Sequence, residues 1–148
     1  MKIEQLEVAK DTTSAGNFLD FPSTRGTERL KSLLGAPVFD NPKPNDLIQY
    51  LLDISDLTEG DAVVDMFAGS CTTADAVIQW QIARGTDLEY VMVNLPEEVA
   101  EGTEARSRGY RTVADIGIAR IRAVMDSTLD AKQSLRLLSL GASNFRDF

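Results

Sequence analysis

Apolar positions in this chain fall into short blocks whose spacing switches between helical and extended periods. In "TERLKSLLG", Leu30, Leu33 and Leu34 recur at helical spacing and Gly35 is the stop. "FDNPKPND" reads as a stiff loop, because each proline biases the residue before it toward extended backbone. A helix follows with Leu47, Ile48, Leu51 and Leu52 on one face and Asn45 or Asp46 near its start. "LTEGD" is a turn, "AVVDMFA" predicts a short buried strand, and Thr72 to Arg84 predicts a helix closed by "RGTD". "LEYVMVNLP" is a second apolar strand ended by Pro96.

Beyond it, "EEVAEGTEARSRG" is polar and poorly periodic, which predicts a loop with a helical turn or two. "TVADIGIARIRAVMD" is a helix with Thr112 as cap and Asp115 as the acid of a capping box. Its Val113, Ile116, Ile121 and Val124 lie roughly on one side. "SLRLLSL" predicts a late strand, "GASNFRDF" a tail, and Met1 to Asp20 a strand or arm at most. Strand, helix, strand, helix, strand implies an α/β domain with parallel pairing. Right-handed crossovers would put the Phe67–Thr73 turn at the carboxyl end of the first strand, where open α/β sheets bind ligands.

Composition narrows the function classes. The 148 residues fit one domain with a sizeable core, with 1–23 expected as an irregular arm and 24–148 as the core. A net charge of −8 argues against this chain gripping nucleic acid alone, since phosphate binding needs Lys and Arg. There is no histidine and only one cysteine, Cys71, which makes a zinc site and an internal disulfide untenable. No apolar run approaches a membrane span, and "MKIEQLEVAKD" is no signal peptide, so the expectation is a soluble, cytoplasmic chain.

Candidate chemistry concentrates in "VVDMFAGSCTTADAV". Asp65 ends the strand and the chain turns through Ala68, Gly69 and Ser70, small residues that admit a ligand close to the backbone. Thr72 is expected as the N-cap of the next helix with Asp75 three residues on, so free N–H groups face the turn. Those donors suit a carboxylate or a phosphate. Asp65 would repel pyrophosphate but attract an ammonium or sulfonium, and S-adenosylmethionine carries both cations together with a carboxylate. The turn lacks the glycine spacing of dinucleotide sites and the G-K-[ST] ending of phosphate loops, which counts against a NAD-binding domain. An ordinary strand-to-helix turn with Asp65 bonded to backbone explains the same residues. Asn94, near the end of the second strand, stands where nucleotide-binding α/β domains meet ribose, or else satisfies backbone before Pro96.

The residues then match a known family. "DMFAGSCTTADAV" resembles the D-x-F-A-G-S-G-T-T cofactor motif of amino-type DNA methyltransferases, and "VFDNPKPNDLIQYLL" resembles the segment preceding it in their beta arrangement. "TRGTERLKSLLG", "YVMVNLPEE", "GYRTVADIGIARIR" and "LRLLSLGASNF" resemble further blocks, in order, of the modification subunits of type III restriction systems. The resemblance runs from about Thr24 to Phe145 and implies a Rossmann-like S-adenosylmethionine-dependent methyltransferase fold, incomplete here. By resemblance Asp65, Phe67, Ala68, Gly69 and Ser70 contact the cofactor, with Thr72 and Thr73 beside them at the helix start. Lys43 is the likeliest ligand-facing residue of the Asn41–Pro44 turn, and Asn94 takes the ribose position.

Two departures matter. Cys71 stands where the family has glycine, so its side chain is expected either to crowd the cofactor or to oppose a positive φ, and its thiol either to be activated by the helix or simply packed. The family's catalytic D-P-P-Y motif, which holds and stacks on a flipped base, occurs nowhere in the sequence. In the beta arrangement that motif and the target-recognition region precede the matched segment, so this chain is expected to be the cofactor-binding portion, without catalytic residues. By resemblance the whole enzyme methylates N6 of adenine in DNA with a restriction subunit as partner. The alternative is a remnant without cofactor that acts only in assembly, with a restriction subunit or a second copy. Arg106, Arg108, Arg111, Arg120 and Arg122 are expected as a solvated helix face before a DNA patch, and Trp80 as a core or interface aromatic.

Overall fold

A computed structural model describes residues 20–128 and 133–141. The arm expected over Met1 to Asp20, save Asp20 itself, and most of the "GASNFRDF" tail lie outside the described residues. Helix α1 (Thr24–Leu34) ends at Gly35 in the left-handed conformation, as the sequence predicts, and α2 (Asn45–Asp53) starts just after the proline loop. Strand β1 (Ala62–Asp65), helix α3 (Thr72–Arg84) and strand β2 (Glu89–Met92) form one β–α–β unit. A single turn, α4 (Glu104–Ser107), precedes α5 (Val113–Ser127), whose predicted capping box is present on Thr112 and Asp115.

β1 and β2 pair in parallel, Ala62 opposite Glu89 through Asp65 opposite Met92, which makes the architecture α/β. α3 lies between α2 and α5 and packs on β2. Its small and apolar residues fall all round its circumference, so Ala74, Ala76, Val77, Ile78 and Trp80 are all buried. Two of the core clusters meet on it. Ala68, Cys71, Ala74, Ile78, Ile121 and Val124 form one, and Leu52, Val77, Trp80 and Leu88 the other. Trp80 is therefore a core aromatic, with its indole N–H donating to Asp53 at 2.7 Å and the Arg84 guanidinium over its ring. A third cluster joins Leu30 of α1 to Val38, Ala105 and Ile116, tying α1 to α5.

Three expectations are corrected. The two strands are shorter than predicted and neither is buried on both sides: Val64 and Val91 are 56% and 48% exposed on the face away from α3. "SLRLLSL" is not a strand; described residues 133–141 have no regular structure, although Leu135 packs on the first core cluster. A run with four leucines looks like a strand by composition, but a strand needs a neighbour for its ladder, and none of the described segments pairs with it. The five arginines are not one solvated face either. Arg106 and Arg108 pair with Glu101 and Glu104, and Arg120 is fully buried.

A candidate cofactor cleft

Between the proline loop and the turn after β1 lies a cleft of about 460 Å³. Phe39, Asp40, Asn41, Pro42 and Lys43, with Ile48 from α2, form one wall; Asp65 and Phe67–Ser70, with Thr72 and Thr73, form the other. Of the residues expected from sequence to bind cofactor, Lys43, Asp65, Phe67, Ala68, Gly69, Ser70, Thr72 and Thr73 line this cleft and Asn94 does not. Phe39, Asp40 and Ile48 were missed as lining residues. The only signal for Phe39 and Ile48 was an apolar residue on each side of the "NPKP" turn, which does not distinguish a pocket wall from core.

The β1 wall is held by short local bonds. Asp65 Oδ1 accepts from the Phe67 N–H at 3.0 Å and Oδ2 from the Thr73 hydroxyl at 2.6 Å, so the carboxylate staples the strand end to the first turn of α3. Phe67 is left 88% exposed at the cleft, which no folding argument requires of a phenylalanine. Gly69 has φ +51°, the left-handed backbone that favours glycine, while the Phe39 ring, 3.5 Å from where a Cβ would lie, leaves ordinary contact room. Asn94 does not open into the cleft. Its Oδ1 accepts from the Gly69 N–H and its Nδ2 donates to the Gly69 carbonyl, both at 2.8 Å, so it clamps the turn from behind.

Thr72 is not the cap of α3. Cys71 occupies that position at φ +57° and makes no side-chain cap bond, while the Thr72 hydroxyl accepts from Arg120 at 2.7 Å. Asp75 likewise serves no cap. A left-handed Cys71 turns the chain so that both side chains face α5 and α1 instead of the helix's own N–H groups. The side chain at this position, where the family has glycine, does not prevent a positive φ: Cys71 adopts it at the cost of some backbone strain.

The Cys71 side chain points into the core, not the cleft. It is buried, and its sulfur lies 2.5 Å from where a Cβ on Gly117 of α5 would be. Gly117 is thus the space that lets a cysteine replace glycine without narrowing the cleft. Burial pushes the thiol up to about 11, with the Arg120 charge opposing, so it is not a nucleophile at neutral pH. Gly117→Ala is expected to destabilise the chain by about 1–3 kcal/mol through overpacking, and Cys71→Gly in the same chain to recover most of that loss. Urea unfolding of the two single variants and the double variant measures it; additive losses would show that the sulfur is not the obstacle.

Below both walls lies a buried ion-pair network. Arg120 donates from Nε to Asp75 Oδ2 at 3.0 Å, from one terminal nitrogen to the Ser70 and Thr72 hydroxyls at 3.2 and 2.7 Å, and from the other to Asn45 Oδ1 at 2.6 Å. Arg29 of α1 forks onto Asp75 at 3.2 and 2.9 Å. Burial by itself would raise the Asp75 pKa, but the Arg29 hydrogen bonds and the charges of Arg120 and Arg29 hold it below the usual carboxylate range.

Residues 1–103 match the family described as DNA methylase, and the chain belongs to that family. It is similar to the modification subunit of the type III restriction–modification enzyme EcoPI of Escherichia phage P1, 36% identical over 106 residues, 71% of this chain and 16% of that protein. The StyLTI modification subunit of Salmonella typhimurium is 32% identical over 99 residues, 67% of this chain and 15% of that protein. The type II methyltransferase M.KpnI of Klebsiella pneumoniae is 29% identical over 117 residues, 78% of this chain and 28% of that protein. This chain therefore spans under a third of each of these relatives. Arg120 lies beyond the residues matched by the family.

Proposed function

We propose that this chain forms the S-adenosylmethionine-binding portion of a DNA adenine N6-methyltransferase of a type III restriction–modification system, built on a Rossmann-like methyltransferase fold. The observation that carries the reading is the cleft itself, which brings the "NPKP" turn and the "DMFAGSCTT" turn face to face. Its volume falls within the roughly 300–1,000 Å³ of small-molecule sites. Its groups suit a zwitterion: the Asp65 carboxylate for a cation, Lys43 and the start of α3 for a carboxylate, and the exposed Phe67 ring for an apolar or heteroaromatic group. Ala68, Gly69 and Ser70 give close backbone approach, and Asn94 acts by fixing Gly69 in place. Thr73 keeps the Asp65 carboxylate aimed along the turn, and Thr72 anchors the same wall from below.

When bound, S-adenosylmethionine supplies an electrophilic methyl group on its sulfonium. This chain's residues bind and orient it, and they lack the D-P-P-Y residues that would present an adenine amine to it. DNA and a restriction subunit are accordingly partners of the whole enzyme, reached through residues other than those of the cleft. A cytoplasmic setting fits a chain with one unpaired cysteine, and no helix among the described residues is long and apolar enough to cross a membrane.

Calorimetric titration of the 148-residue chain with S-adenosylmethionine is expected to give saturable heat. A ligand concentration of a hundred times Kd should add about 2.7 kcal/mol to its stability. Methyl transfer to DNA by the chain alone is expected to be absent. No heat and no thermal shift at millimolar ligand would overturn the cofactor reading. A second reading, a remnant that acts only in assembly with another subunit or a second copy, is favoured by the uncovered sheet face carrying Val64 and Val91. That outcome of the titration would select it.

A further inference from the structure

The walls of the cleft come from two separate segments, Phe39–Ile48 and Asp65–Thr73, and among the described residues one side chain is hydrogen-bonded to both segments. Arg120 reaches Asn45, the residue that follows the "NPKP" turn, and Ser70 and Thr72 of the turn after β1. It does so from α5, fully buried, with its charge met by Asp75 on α3. A planar guanidinium fixes the directions of its N–H groups relative to one another. Its acceptors are therefore held in a set relative geometry, as they would not be by a lysine. Ser70 and Thr72 line the cleft and Asn45 adjoins it, so this geometry sets how far apart and in what register the two walls stand. A core arginine is costly to bury, and an apolar pair of similar volume would often serve stability as well or better. Packing alone thus gives no reason for an arginine here, whereas cross-linking two separate walls by directed bonds does.

We propose that Arg120 is a positioning residue for the cofactor, a buried clamp that holds the two walls of the cleft at their working separation, with Asp75 as its counter-ion. The proposal rests on the cofactor reading above for its ligand, and on the cleft geometry alone for the clamp. Asp75→Leu with Arg120→Met removes both charges together and leaves neither buried unpaired. Arg120→Lys keeps the charge but cannot reach Ser70, Thr72 and Asn45 at once. Each variant is expected to bind S-adenosylmethionine at least about tenfold more weakly, the scale of losing hydrogen bonds to a charged group, while remaining folded by circular dichroism. The same chains are read without ligand by amide hydrogen exchange. The amides of Gly69, bonded to the Asn94 side chain, and Cys71, bonded to Ala68 within the turn, are expected to exchange faster, while Glu89 and Val93, bonded to β1 and its approach, hold their rates.

Where the unaltered chain binds S-adenosylmethionine, affinity within threefold of it in the variants overturns the clamp. If the double variant does not fold, Arg120→Lys carries the test. Where the unaltered chain binds none, the cofactor reading falls by itself and exchange decides. Faster exchange at Gly69 and Cys71 then supports the clamp, and unchanged rates overturn it.

Discussion

Asp75→Ala is expected to cost this chain about 3–5 kcal/mol, the range for removing one partner of a buried ion pair. Two arginines depend on that carboxylate, and they differ in what they do without it. Arg29 is one-third exposed and relaxes into water, whereas Arg120 is fully buried and cannot. The remaining Ser70, Thr72 and Asn45 oxygens still accept its N–H groups, but none of them carries a negative charge. A loss of that size is a large part of the roughly 5–15 kcal/mol that holds a domain folded. Urea or thermal unfolding measures it, and a loss under about 1 kcal/mol would mean that Arg120 is not an uncompensated charge in the variant.

The same carboxylate sets an acid limit. Its folded pKa lies below the ordinary 3.8, so the folded state binds fewer protons than the unfolded chain in that interval. The stability it contributes is present above pH 3.8 and is lost as pH falls through the folded value. Asp75→Asn should flatten that part of the acid-unfolding profile.

Gly26→Ala is the second large effect. Gly26 sits in α1, where alanine would be favoured by about 1 kcal/mol on helix propensity alone. The tertiary contact reverses the sign. A Cβ there would lie 2.0 Å from the Pro42 carbonyl oxygen and 2.8 Å from the Lys43 carbonyl carbon, both backbone atoms that cannot rotate aside. Either α1 or the "NPKP" turn must move, at about 2–3 kcal/mol net of the propensity gain. Because Pro42 and Lys43 line the cleft, cofactor affinity should fall with stability. Thermal unfolding with and without S-adenosylmethionine measures both. A variant more stable than the parent would show that helix propensity outweighs the contact.

Most of the local structure was legible in the residues. Gly35 ends α1 and Thr112 with Asp115 starts α5 because caps are chosen by conformations and bonds within a few residues. α3 was found with its bounds because a run of small and apolar residues is closed by glycine. The turn after β1 was recognised by its motif, and its glycine at positive φ follows from backbone sterics. Two of the failures share one cause. "SLRLLSL" has strand composition without a strand beside it, and Arg120 has the composition of a surface helix. Pairing and burial are decided by what lies across the fold, and spacing along the chain does not carry that information.

Sequence by itself determined the elements of the β–α–β unit, the residues of the two facing turns and the family they point to, since each rests on short-range patterns. Only the tertiary structure decided that Asn94 clamps Gly69, that Gly117 houses the Cys71 sulfur, and that Asp75 neutralises Arg120 instead of capping α3. Each of those joins residues 25 to 46 positions apart in the chain. Their partners are chosen by close packing and by the cost of burying an unpaired charge, and both act only once the elements have met.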